Sequence, residues 1–117
     1  MRGAARLIAA EYPKADIDVR VTPQYRNMAL GLAKEPRALT FAETAMRRAG
    51  LEPKRTIVRG GTDGSRLTEL GLPTPNLSCG EHNFHSPLEW TCLEEMATAV
   101  RVLVELAQVW ADAKELG

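Results

Sequence analysis

The amino-acid sequence predicts an α/β protein, and three observations carry that expectation. From residue 35 onward the segments alternate helix, strand, helix, strand, helix, an order that favours a layer of parallel strands covered by helices. Asp16-Ile17-Asp18-Val19-Arg20-Val21 alternates polar and apolar residues at period two, as a strand with one wet face does. Residues 93–107 repeat apolar side chains at helical spacing, behind a Thr91/Glu94 pair suited to a capping box.

Taken in order, residues 2–12 are alanine-rich, with Leu7 and Ile8 among Arg2, Arg6 and Glu11, and predict a helix that Pro13 stops. With the strand over 16–21 they bury little surface by themselves, so residues 1–28 are expected to be a different subdomain from residues 29–117. A second helix follows, with Pro36 in its first turn and Leu39, Ala42, Ala45, Met46 and Ala49 along one face. Gly50, Leu51 and Pro53 read as its left-handed cap, the accompanying hydrophobic contact and a stop. Thr56-Ile57-Val58 predicts a short β-branched strand. Thr62 or Asp63 suits the cap of a short helix that ends at Gly71, and residues 74–78 predict a brief extended segment. The last helix carries a seam of Leu93, Met96, Ala97, Val100, Leu103, Val104 and Ala107, with Glu94, Glu95, Arg101, Glu105 and Gln108 turned away from it.

Composition narrows the function. A length of 117 residues admits one modest domain, and 44% hydrophobic with 26% charged residues is ordinary for a soluble chain. The formal net charge is zero, which gives no electrostatic case for nucleic acid or an anionic membrane as partner. Charges interrupt every apolar stretch before it reaches bilayer length, and the N-terminus lacks the apolar core and cleavage site of a signal peptide, so a cytoplasmic location is expected. Cys79 and Cys92 are too few for a disulfide framework and read as two thiols in a reducing compartment. A thiolate ligand role for Cys79 has only its nearness to the histidines in its favour.

Two motifs are candidates for chemistry. Gly60-Gly61-Thr62-Asp63-Gly64 lacks the lysine of a phosphate-binding loop and the spacing of a dinucleotide loop, and its plainest role is a tight turn that caps a helix. Its functional role would be to let a substrate approach the backbone closely, with Arg59 contacting a peptide carboxylate. The second motif holds both histidines, His82 and His85, with Glu81 and Glu89 nearby. An isolated histidine is more often a hydrogen-bonded structural residue than a ligand, and a catalytic zinc ordinarily needs three protein ligands.

Arg59-Gly60-Gly61-Thr62-Asp63-Gly64, then Gly71-Leu72-Pro73-Thr74-Pro75-Asn76-Leu77, then His82-Asn83-Phe84-His85 with Glu89 beyond, resembles the C-terminal part of the tripeptide aminopeptidases of the M20 zinc metallopeptidase family. Tyr25-Arg26-Asn27-Met28 is similar to the family's return from its lid into its catalytic domain, so the resemblance spans nearly the whole chain. Two departures stand out: Cys79-Gly80-Glu81-His82 before the second motif, and Ser86-Pro87 after His85, where a glycine is common.

The resemblance implies the fold and the roles. Residues 1–28 would be the last helix and strand of the lid or dimerisation subdomain, and 29–117 the C-terminal portion of a zinc-exopeptidase-like α/β catalytic domain. His85 falls where the family has a zinc ligand, while Arg59, Gly60, Gly61, Thr62 and Asp63 line the substrate pocket. The family uses two zinc ions, and its other ligands and its general base lie in a half to which no part of this sequence corresponds. No catalytic residue is therefore assigned within the chain, and Asp63, Glu81 and Glu89 are not promoted to ligands. The expected whole is a zinc-dependent enzyme that removes the N-terminal residue of a tripeptide, with this chain inactive alone and inclined to form a homo-oligomer. The alternatives are a non-catalytic association module or truncated product, and an M20-type deacylase or carboxypeptidase segment.

Overall fold

A computed structural model describes residues 1–58 and 60–115 of the chain. The elements run α1 (Arg2–Glu11), α2 (Ala29–Leu32), α3 (Arg37–Arg48), α4 (Asp63–Glu69), β1 (Glu81–His82), β2 (Trp90–Thr91) and α5 (Leu93–Glu115). The mixture of helix and sheet is as expected, but the sheet is not. Its two strands are antiparallel, pairing Glu81 with Thr91 and His82 with Trp90. Residues 16–21, 56–58 and 74–78 form no regular element and belong to no ladder. A strand is completed by a neighbour's backbone N–H and C=O groups, and no described segment pairs with these three in a ladder. The period-two pattern still leaves a trace: Ile17 and Val19 line a shallow groove with Ala5 and Ala9 of α1.

The helix ends follow local rules closely. Pro36 precedes α3, and the helix closes with Gly50 at φ +84°, Gly50 N–H donating to Arg47 O at 3.0 Å and Leu51 N–H to Met46 O at 2.9 Å. This pair of bonds satisfies carbonyls that the helix itself leaves open, and glycine takes the left-handed residue without a Cβ penalty. The same closure recurs after α4, where Gly71 sits at φ +99° and Leu72 N–H reaches Leu67 O at 2.9 Å. At its front, Thr62 is the cap, its Oγ1 accepting from Ser65 N–H at 3.2 Å, while Asp63 is already helical. The short helix α2 has no counterpart in the sequence reading.

The core lies between α3 and α5. Ala38, Ala42 and Ala45 of α3 and Val102 and Val109 of α5 are buried, and small residues on α3 let the two helices approach. Phe41 meets Trp110 edge to face, with centroids 4.7 Å apart, and the Arg37 guanidinium lies 5.7 Å over the Trp110 ring. Arg48 spans the two helices to Glu105 at 3.9 Å and Asp112 at 3.4 Å. The face of α5 used here is not the expected seam. Leu93, Met96, Val100, Leu103 and Val104 are all exposed. The start also shifts: Met96 N–H bonds to Cys92 O, and Thr91 Oγ1 donates to Gly80 O at 2.7 Å instead of capping the helix.

The whole is open. Its radius of gyration is 20.3 Å, against about 13 Å for a compact domain of this length. No described helix is long and apolar enough to cross a membrane.

Candidate functional site

The two motifs build two separate structures. The first is the Gly60–Asp63 loop at the head of α4. Residues 23–25 lie across it, and a Cβ on Gly61 would come within 2.6 Å of the Tyr25 ring, so only glycine admits that contact. Below it, Asn76 Nδ2 donates to Thr62 Oγ1 at 3.1 Å, and Thr74 N–H donates to Thr68 Oγ1 at 2.9 Å. Gly64 is buried, and a Cβ there would fall 2.6 Å from Thr74 O. Residues 74–76 are thus strapped onto α4 by two side chains of that helix and its cap.

Between the loop and residues 23–25 opens a crevice of about 900 Å³ lined by Pro23, Gln24, Tyr25, Gly61, Thr62, Asp63 and Arg66. Three of the expected substrate-binding positions, Gly61, Thr62 and Asp63, therefore share one cavity, and Gly60 is the exposed residue leading into it. Arg59 lies outside the described residues. Gln24, Tyr25 and Arg66 are contributors that sequence reasoning did not single out. Arg66 is an exposed residue of α4, one turn beyond Asp63.

The second structure is a hairpin that presents His85. Asn83 and His85 both take left-handed backbone conformations, at φ 55° and 61°. Such values are uncommon outside glycine, with Asn and His among the residues that reach them more readily. A closed set of bonds holds the loop in that shape. His85 N–H donates to Glu89 Oε2 at 2.6 Å, Asn83 Nδ2 donates to Leu88 O at 3.2 Å, and Ser86 N–H donates to Asn83 O at 3.1 Å. His85 itself is exposed. Glu89 acts here through the backbone of His85.

His82 has a different place. Its ring stacks on Trp90 with centroids 4.1 Å apart and planes 11° from parallel, and its Nε2 lies 2.8 Å from Glu95 Oε2. The Cys79 thiol donates to Glu81 Oε2 at 3.6 Å, and Cys79 and Cys92 are both unbridged. Among the described residues no group of three His, Cys, Asp or Glu side chains gathers into a metal site. An exposed histidine on a fixed backbone fits a metal as one ligand, but the described residues do not assemble a full set.

Residues 6–109 match Peptidase family M20/M25/M40, and the chain belongs to that family, whose M20 members are generally metal-dependent. Among its relatives are proteins named peptidase T. That of Shewanella pealeana is 39% identical over 105 residues, covering 90% of this chain and 26% of the relative. That of Escherichia fergusonii is 42% identical over 100 residues, covering 86% and 24%. That of Caldanaerobacter subterraneus subsp. tengcongensis is 40% identical over 100 residues, again covering 86% and 24%. The chain spans about a quarter of the length of the curated relatives it matches.

Proposed function

We propose that the chain is the C-terminal segment of a zinc-dependent tripeptide aminopeptidase, contributing one metal ligand and one wall of the substrate site. The observation that carries this is the presentation of His85, an exposed histidine on a backbone fixed by Glu89 and by the bonds across the loop. The similarity to proteins named peptidase T supports the tripeptidase branch over a deacylase or carboxypeptidase. In this reading zinc, when bound, supplies Lewis acidity toward the scissile peptide carbonyl. The chain's own part is to hold that metal through His85 and to receive the peptide beside Gly60, Gly61, Thr62 and Asp63, with Arg59 as a further contact. Gly61 gives a peptide backbone close access to the crevice, and Asp63 offers a carboxylate at its rim.

The general base and the remaining ligands are assigned to polypeptide outside this chain, so the 117 residues alone are expected to be inactive. Residues 1–28 are read as the end of the lid and 29–117 as catalytic domain, in a soluble cytoplasmic enzyme. A second reading, an association module, is favoured by the open shape and the bare apolar face of α5. The two combine in a homodimer that covers this face.

Calorimetry with zinc tests the ligand assignment. A single histidine predicts weak binding that His85→Ala abolishes. A tight two-ion site that survives His85→Ala would remove His85 from the role.

A further inference from the structure

The hairpin that carries His85 has only two rungs, Glu81 with Thr91 and His82 with Trp90. An isolated two-stranded hairpin is marginal in water. The loop also holds two left-handed non-glycine residues, each at a cost of about 1–2 kcal/mol. Something outside the hairpin must therefore hold it, and the contacts converge on the first turn of α5. The inner rung, next to the loop, is His82 with Trp90, and the His82 ring bridges from the Trp90 face to the Glu95 carboxylate. Gly80 seats the base of the hairpin on the same residue, since a Cβ there would lie 2.7 Å from Glu95 Cβ. One face and the edge of the His82 ring are thus employed in closing the loop that bears His85.

We propose that His82 and Glu95 form a clamp that positions His85, which makes His82 a positioning residue and not a second ligand. The proposal rests on the reading of His85 as a metal ligand. The chain of causes is short. The Nε2–H of His82 donates to Glu95, which anchors β1 to α5. The stacked ring holds β2 at Trp90, and Trp90 is the residue next to Glu89. Glu89 in turn receives the His85 N–H at 2.6 Å and fixes the backbone from which the imidazole projects. Loss of the clamp frees the inner rung and lets His85 leave its left-handed conformation. This assigns a role to the departure Cys79-Gly80-Glu81-His82, where the histidine serves the fold of the loop.

Zinc(II) titrated into the isotope-labelled chain, read at the imidazole nitrogens of His85, tests this directly. His82→Phe keeps an aromatic ring against Trp90 but removes the bond to Glu95. Glu95→Leu removes the acceptor, and Glu95→Gln keeps one at the same reach. Outer partners of metal-ligating histidines typically matter by 10–100-fold in affinity. His82→Phe and Glu95→Leu are expected to weaken zinc at His85 by about tenfold, the lower end of that range, while Glu95→Gln stays within about threefold. Backbone couplings of His85 should leave the left-handed range in the first two variants only, with the amide shifts of Ala42 and Val102 unmoved as the control for folding. Unchanged zinc affinity at His85 in His82→Phe and Glu95→Leu would overturn the clamp and leave the ligand reading standing. Zinc that never perturbs His85 in the unaltered chain would overturn the ligand reading and the positioning role with it.

Discussion

At the scale of single residues, the glycines of the first motif divide by what surrounds them. Gly64 faces a backbone oxygen at 2.6 Å from its notional Cβ, whereas Gly61 faces the ring of Tyr25, which has torsions that can yield. Gly64→Ala is therefore expected to destabilise the chain by about 1–3 kcal/mol, the usual cost of overpacking. A shift of the denaturation midpoint at unchanged slope checks it. Gly61→Ala should cost less stability but rearrange the crevice, visible as displaced Tyr25 ring resonances. An ion pair at this scale gives a pH prediction. The Arg55 guanidinium bonded to Glu43 at 2.6 Å holds that carboxyl below its ordinary value of 4.5. A depressed folded value means the pair contributes above 4.5 and loses its contribution as pH falls through the folded value. The pair is exposed, so the effect is small. The tether between α3 and residues 51–55 should loosen in that acid window, and Glu43→Gln should show a loosened tether with no such pH dependence. Amide exchange across residues 51–55 from pH 6 to pH 3 checks both.

At the scale of elements, the sequence was legible wherever the rule is local. Pro36, Gly50 and Gly71 mark helix ends because proline and left-handed glycine act within a few residues of themselves. The strands expected at 16–21, 56–58 and 74–78 do not form as ladders, since pairing depends on a partner that periodicity does not contain. The last helix shows a different failure. It has apolar residues on two faces, and the pattern alone does not say which one meets α3. The seam of Leu93, Val100 and Val104 was the more regular, yet the core uses Val102 and Val109. Small alanines on α3 and the pairing of Arg48 with Glu105 and Asp112 favour the second face. The site was legible as two motifs, because glycine and histidine clusters are visible in one dimension. Tyr25 and Arg66 were not, since their membership in the crevice comes from chain folding. Val102→Ala is expected to cost about 1.5–2.5 kcal/mol, as two buried methyl groups are lost. Val104→Ala should stay within about 0.5 kcal/mol in the monomer, being an exposed change. Chemical denaturation of the pair decides it, and the opposite order would put the other face of α5 against α3.

At the scale of the whole molecule, the chain leaves a large apolar surface in water. The exposed side of α5, together with Ile57 and Val58 in a segment outside any ladder, is the kind of surface that associates. A homodimer or larger assembly is the expected state at micromolar concentration. Sedimentation should show it, and Val104→Glu on the exposed face of α5 should shift it toward monomer. A monomer for the unaltered chain would mean that this face is stable in water.

The central claim is that these residues are one part of a peptidase active site whose chemistry needs the rest. Tripeptide hydrolysis measures that most directly, with the pure 117-residue chain and the peptidase T of Shewanella pealeana assayed side by side in zinc. The account predicts release of the N-terminal residue by the long enzyme alone. It further predicts that release falls by orders of magnitude when the histidine matching His85 is changed to alanine. Metal-dependent cleavage by the short chain would contradict it.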